Sequence, residues 1–207
     1  MAAVVGIRHR AVRTHEVERE AYLANGADRC YHCKTELYDA LEVVAREESL
    51  PVVVSGANVD DLGDWRPGLR AAAEHTVRHP LVEAGFTKAE VRDAARELGV
   101  PTWDKPASAC LSSRIPYHSE VTDEKLRTIE RAEQALAAMG FRVCRVRHHD
   151  ELARVEIGRD ELARALDPEI RAAIVRELKA IGYRYVTLDL QGYRTGSLNE
   201  GLLLRPA

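Results

Sequence analysis

The chain has 207 residues, 45% of them hydrophobic, and a mass of 23.1 kDa; that is enough for one large domain or two modest ones with a real core, and it excludes disordered and fibrous classes. Thirty Lys and Arg against 33 Asp and Glu give a formal charge of −3 and a pI near 6.3, so no bulk attraction to nucleic acid or to an acidic membrane is built in and any anion site has to be local. No apolar run approaches the ~18 residues of a membrane span, and the opening residues break into charge at Arg8 before a signal-peptide core forms, which leads to the expectation of a soluble, cytoplasmic protein without nucleic-acid or membrane partners.

In chain order, Val4 to Thr14 alternates loosely and predicts a short strand. A charged helical stretch follows from His15 to Asn25, with Asn25-Gly26 as its stop. Leu37, Leu41, Val44 and Ala45 have helical spacing within Thr35 to Glu48, and Leu50 to Ser55 is a bounded β-branched run typical of a buried parallel strand. Thr87 and Glu90 form a capping box for a helix that reaches Leu98 and ends at Gly99 before Pro101. This alternation predicts an open, mostly parallel sheet with helices on its faces.

After Pro106 the grammar changes. A polar loop carries Cys110 to Pro116, then comes a helix from Thr122 to Met139 capped by Gly140, strands Phe141 to Arg147 and Leu152 to Ile157, a helix from Asp160 to Ile181 and a strand from Tyr183 to Asp189. Two helices against a small sheet make an α+β layer, ferredoxin-like in style. The expected fold class is therefore α/β, with residues 1–116 as a partial parallel-sheet domain and residues 117–207 as a small α+β substrate or oligomerisation domain.

Four cysteines are too few for a disulfide scaffold, and in a reducing cytosol a close pair is a metal or redox site. Cys30 and Cys33 form such a pair, in a loop leading into a helix, where the helix dipole, Arg29 and Lys34 favour thiolates. A CxxC is only half a metal site, and Cys110, in a loop of small and hydroxyl residues, is the natural third ligand; Cys144, inside a predicted strand, reads as a buried inert thiol. Gly56, Asn58, Asp60 and Asp61 follow the Val-rich strand at its carboxyl end, where open α/β sheets bind ligands, and the carboxylates there suit Mg2+ on a nucleotide; a capping turn is an equal alternative. Arg145 and Arg147 share one face of a strand and suit phosphate or carboxylate recognition, with Arg114 able to join them and Glu133 and Glu156 able to supply a metal ligand or to hold the arginines in place. A solvated charged face is the favoured alternative for that pair.

Arg29 to Lys34, Gly56 to Asp61, Asp64 to Arg70, Thr102 to Pro106, Ala109 to Tyr117, Arg145 to His149 and Tyr185 to Asn199 together resemble the LarE type of ATP-dependent sulfur transferase, in the PP-loop pyrophosphatase superfamily. The resemblance implies adenylation of the carboxylates of a pyridinium dicarboxylate mononucleotide and their replacement by thiocarboxylates, in biosynthesis of the nickel-pincer cofactor of lactate racemase. It implies ATP and Mg2+, with Ser112 and Ser113 beside Gly56 to Asp61 in nucleotide binding, and a homo-oligomeric enzyme. It also implies the branch in which Cys30, Cys33 and Cys110 hold a [4Fe-4S] cluster whose open iron takes sulfide from solution or from a donor protein; Ala109 stands where the other branch has a sacrificial cysteine. His118 stands where family members usually have Gly. The Ser-Gly-Gly-x-Asp-Ser loop that grips pyrophosphate is not among these residues, so the expected first domain is an N-terminally truncated PP-loop domain. The alternatives are another PP-loop thiolase or amide ligase, or a non-catalytic metal-binding remnant.

Overall fold

The structure is a computed structural model and describes residues 1–63 and 66–194. Asp64, Trp65 and the Gly196–Asn199 stretch of the resemblance lie outside the described residues. The chain forms two units: Met1–Tyr22 with Asp28–Lys105, and Leu23–Ala27 with Pro106–Ala207. The division thus falls after Lys105, ahead of the expected 116/117 boundary, and Leu23–Ala27 goes with the second unit.

The first unit is helical where the sequence predicts alternation. It contains α1 (Ala2–Val5), α2 (Glu20–Leu23, running up to the division), α3 (Arg29–Glu47), α4 (Pro67–Glu74), α5 (Pro80–Glu83) and α6 (Lys88–Glu97). The predicted strand over Val4–Thr14 does not form. Gly6, at φ 74°, closes α1, and the residues beyond it are held by charge along α3: Arg10 pairs with Glu47 and Glu48, His15 N donates to Glu36, and Arg19 pairs with Glu36 and Asp39. A loose alternation supplies strand propensity but no ladder partner. The helix expected over His15–Asn25 shrinks to a 3-10 turn and one α-helical turn, although Asn25, at φ 53°, supplies the left-handed stop.

Leu50–Ser55 is not a buried strand either. Its ladder is one parallel bridge, Val54 to Arg78, and Val52 and Val54 remain 41% and 54% exposed. Among the described residues, the expected parallel sheet is reduced to that bridge. The capping box, in contrast, forms as read: Thr87 and Glu90 bond reciprocally at the start of α6. The core of the unit is the seam of α3 on α4, with Tyr38, Ala71, Ala72 and Val77 buried. Alanines let the α4 backbone approach closely.

The second unit is the expected α+β layer, with α7 (Asp123–Ala138), β1 (Cys144–His149), β2 (Leu152–Ile157), α8 (Leu162–Ala165), α9 (Pro168–Ile181) and β3 (Tyr185–Leu188). The strands lie in the order β1-β2-β3, antiparallel then parallel, each beside its sequence neighbour and not interleaved as in a ferredoxin-like split βαβ. Ala132 and Leu136 of α7, Ile174 and Leu178 of α9, and the inward residues Cys144, Val146, Ala153, Val155 and Ile157 form one core. The long helix predicted from Asp160 breaks at Asp167-Pro168. Proline removes an N–H and restricts the residue before it, and Asp167 Oδ1 caps α9 by accepting from Glu169 N and Ile170 N at 3.0 and 3.2 Å.

Candidate functional site

In the first unit, Cys30 and Cys33 lie inside α3 and not in a loop before it. No Gly or Pro separates Arg29 from Leu37, so the helix extends back through the CxxC; the apolar spacing alone does not reveal this, because it starts only at Leu37. A separation of three residues puts both sulfurs on one face. Cys30 is exposed and Cys33 partly so, with the Arg29 guanidinium 3.9 Å from Cys30 Sγ.

This first turn is pinned by α4. Tyr31 OH donates to Glu74 at 2.6 Å, Arg70 stacks 3.9 Å over the Tyr31 ring, and Gly68 passes so close that a Cβ there would meet Lys34 Cγ at 2.9 Å and Cys30 O at 3.5 Å. The Tyr31–Glu74–Arg70 cluster is not legible in advance, since its members come from two helices whose packing has to be known first.

The Gly56–Asp61 turn is held by its own side chains. Asp60 N donates to Asn58 Oδ1 at 3.1 Å and Asn58 N to Asp61 Oδ2 at 3.0 Å. Asp60 Oδ2 also accepts Lys88 N of α6 at 2.7 Å, and Asp61 pairs with Arg66 at 2.9 Å. These are the turn and capping duties weighed in the sequence; Gly56 faces open space.

In the second unit Cys110 is exposed and precedes a 3-10 turn, Leu111–Arg114. Arg114 is buried, 2% exposed, and forks onto Glu133 with bonds of 2.8 and 3.0 Å. Glu133 Oε1 also accepts Val146 N at 3.0 Å. Arg145 and Arg147 share a face of β1, but the solvated-face reading does not hold: they are 8% and 6% exposed. Arg147 forks onto Glu156 of β2 at 2.9 and 2.7 Å, and Arg145 donates to Cys144 O at 2.6 Å under the Tyr193 ring. A fork on a carboxylate satisfies both partners in a dry site. Ser112 is buried, and Ser113 Oγ donates to Cys110 O at 2.7 Å.

The opposite face of β1 is core. Cys144 is buried, and burial with Glu133 nearby pushes its thiol up to about 11. His148 Nδ1 and Tyr183 OH are 3.0 Å apart; burial lowers the imidazole and raises the phenol. His118 has φ 67°, so the turn keeps the left-handed geometry that Gly would adopt without strain.

Cys30 and Cys110 are exposed, Cys33 is half-buried, and no disulfide joins them; Cys30 and Cys33 are one helical turn apart on α3 of the first unit, while Cys110 belongs to the second. Cys144 is sealed in the core with its proton held. Among the described residues, no group of three or more His, Cys, Asp or Glu is gathered for a metal ion, and no helix is long and apolar enough to cross a membrane.

No family model matches the chain. It is similar to the uncharacterized protein slr1717 of Synechocystis sp., 43% identical over 198 residues, which covers 96% of this chain and 74% of that protein. It is similar to the pyridinium-3,5-bisthiocarboxylic acid mononucleotide synthase of Lactiplantibacillus plantarum, 38% identical over 178 residues, 86% of this chain and 64% of that protein. The uncharacterized protein MJ0830 of Methanocaldococcus jannaschii is 28% identical over 193 residues, 93% and 75% of the two chains.

Proposed function

The chain belongs to the same protein family as slr1717, and on that footing we propose that it is a sulfur transferase converting the carboxylates of a pyridinium-3,5-dicarboxylate mononucleotide to thiocarboxylates, in nickel-pincer cofactor biosynthesis. The observation that carries this reading is the 38% identity, over 86% of the chain, to a protein whose name states the dithiolated product. Accessible thiols at Cys30, Cys33 and Cys110 support it.

In this reading the chemistry is activation of the carboxylate followed by sulfur transfer. A carboxylate oxygen attacks the α-phosphorus of ATP, releasing pyrophosphate and leaving an acyl adenylate; sulfide then forms the C–S bond as the C–O bond to AMP breaks. The Gly56–Asp61 turn is assigned to the nucleotide and its Mg2+ in this reading. Cys30, Cys33 and Cys110 would hold a [4Fe-4S] cluster, whose iron without a protein ligand would carry the sulfide.

The test is to incubate anaerobically reconstituted protein with ATP, Mg2+, sulfide and the dicarboxylate mononucleotide, and to follow exchange of oxygen for sulfur by mass spectrometry. Thiolation that needs ATP is expected. Ala at Cys30, Cys33 or Cys110 should abolish both the brown colour and the product, while Cys144→Ala keeps them. Colour and product that survive all three substitutions would sink the assignment.

A further inference from the structure

Residues 106–110 have no regular secondary structure, so apart from Cys110 O, which accepts Ser113 N of the following 3-10 turn at 3.1 Å, their carbonyls have neither a helix nor a ladder to accept from. Arginines donate to three of them. Arg145 Nη2 donates to Ala107 O. Arg114 Nη1 donates to Ala109 O, to Cys110 O and to Ser113 Oγ, each at 2.9 Å, and Arg147 Nη1 donates to Ser113 O at 2.8 Å. The backbone is thereby held before, at and after Cys110.

Each guanidinium is in turn aimed by a fixed group. Glu133, anchored by Val146 N of β1, orients Arg114; Glu156 on β2 orients Arg147; the Cys144 carbonyl and the Tyr193 ring orient Arg145. Arg114 and Arg147 have their forks on carboxylates, and the planar guanidinium has further N–H groups that point the opposite way, toward the loop. The rigid sheet therefore dictates where an irregular loop lies.

We infer that Arg114, Arg145 and Arg147 are positioning residues that fix the Cys110 loop, and with it the direction in which the thiol is presented. The assignment rests on the sulfur-transfer reading for what Cys110 does, and on these hydrogen bonds alone for how it is held. It departs from the expectation that these guanidiniums recognise the acceptor's phosphate or carboxylate, because they donate to the protein's own backbone and carboxylates.

The test compares the full wild-type chain with Arg114→Lys and Arg145→Lys, which keep the charge and lose the planar head with several donors. Iodoacetamide labelling under native anaerobic conditions is read peptide by peptide, with Cys30 and Cys33 as internal standards and buried Cys144 as the report on folding. Release of a held loop should change the Cys110 labelling rate by about three- to tenfold, with Cys30 and Cys33 within about twofold and Cys144 still protected. An unchanged Cys110 rate in a variant whose Cys144 stays protected overturns the inference; if Arg114→Lys exposes Cys144, Arg145→Lys decides on the same readout.

Kinetics separate positioning from acceptor binding. A positioning role lowers kcat for thiolation by about tenfold or more with the acceptor KM nearly constant, whereas a raised KM at constant kcat assigns the guanidiniums to the acceptor and overturns it. Absence of any thiolation by the wild type would defeat the proposed function and leave the labelling result to judge the loop.

Discussion

Replacing Arg147 by Met should strand a carboxylate in the middle of the second unit. Glu156 is 1% exposed and loses two bonds of 2.9 and 2.7 Å. Removing one partner of a buried pair typically costs about 3–5 kcal/mol, chiefly for the charge left behind. Glu156 keeps Arg154 at 3.4 Å, but that side chain is 39% exposed and shared with Asp189, so solvent screens it and it offsets only part of the loss. The expected cost is about 3 kcal/mol. The double variant Arg147→Met, Glu156→Leu removes both charges and should return to within ~1 kcal/mol of wild type, less the bond of about 1 kcal/mol to Ser113 O that both variants lose. The assay is urea unfolding followed by pulse alkylation of Cys144, a core residue of β1 that reports this unit alone. A single variant costing under about 1 kcal/mol, or a double variant no better than the single one, would refute the stranded-charge argument.

Three further outcomes follow from the same geometry. Native alkylation at neutral pH should modify Cys30 and Cys110 readily and spare Cys144, whose thiol is held up near 11, until denaturant opens the core; equal rates for all of them would contradict the burial assigned to β1. Burial lowers the His148 pKa below its ordinary value, so below about pH 6.5 the unfolded chain takes up a proton that the folded chain refuses, and stability falls as pH falls through that window. His148→Phe should flatten this part of the urea-midpoint profile between about pH 7.5 and 5, and an unchanged slope would assign the effect elsewhere. His118→Gly should stabilise the second unit by about 0.5–1 kcal/mol, since φ 67° strains a residue with a Cβ by more than Gly loses in backbone entropy; a destabilised variant would show that the His118 side chain does more than strain the turn.

The legibility of the fold follows how local each signal is. Thr87 with Glu90, and Gly99 and Gly140 past their helices, act within a few residues and appear as read, and the strand read over Leu152–Ile157 forms at those bounds. Asp167-Pro168 is equally local, but the apolar period runs on through it and hides the break; proline outranks periodicity at a helix start. Val4–Thr14 and Leu50–Ser55 fail for the opposite reason. Their strand propensity is real, but a strand is completed by a partner elsewhere in the chain, and among the described residues Val54 finds only Arg78.

The site divides along a similar line. Side-chain chemistry was visible in advance: accessible thiols in Cys30, Cys33 and Cys110, an inert one in Cys144, and two arginines on one face of a strand. The carboxylate partners of the arginines are legible too, since Glu133 and Glu156 read as able to hold them and do so for Arg114 and Arg147; the loop side is not, because those partners are the carbonyls of Ala107, Ala109, Cys110 and Ser113, and a carbonyl looks the same at every position of a sequence. The choice between a solvated face and a binding face therefore omitted the arrangement that forms. A guanidinium placed between a buried carboxylate and an irregular loop is stabilised from both sides, and the loop gains an order that its own composition of Ala, Ser and Cys cannot supply. Clusters of arginine beside a loop of small residues are thus as informative about what the loop must hold still as about what the arginines bind.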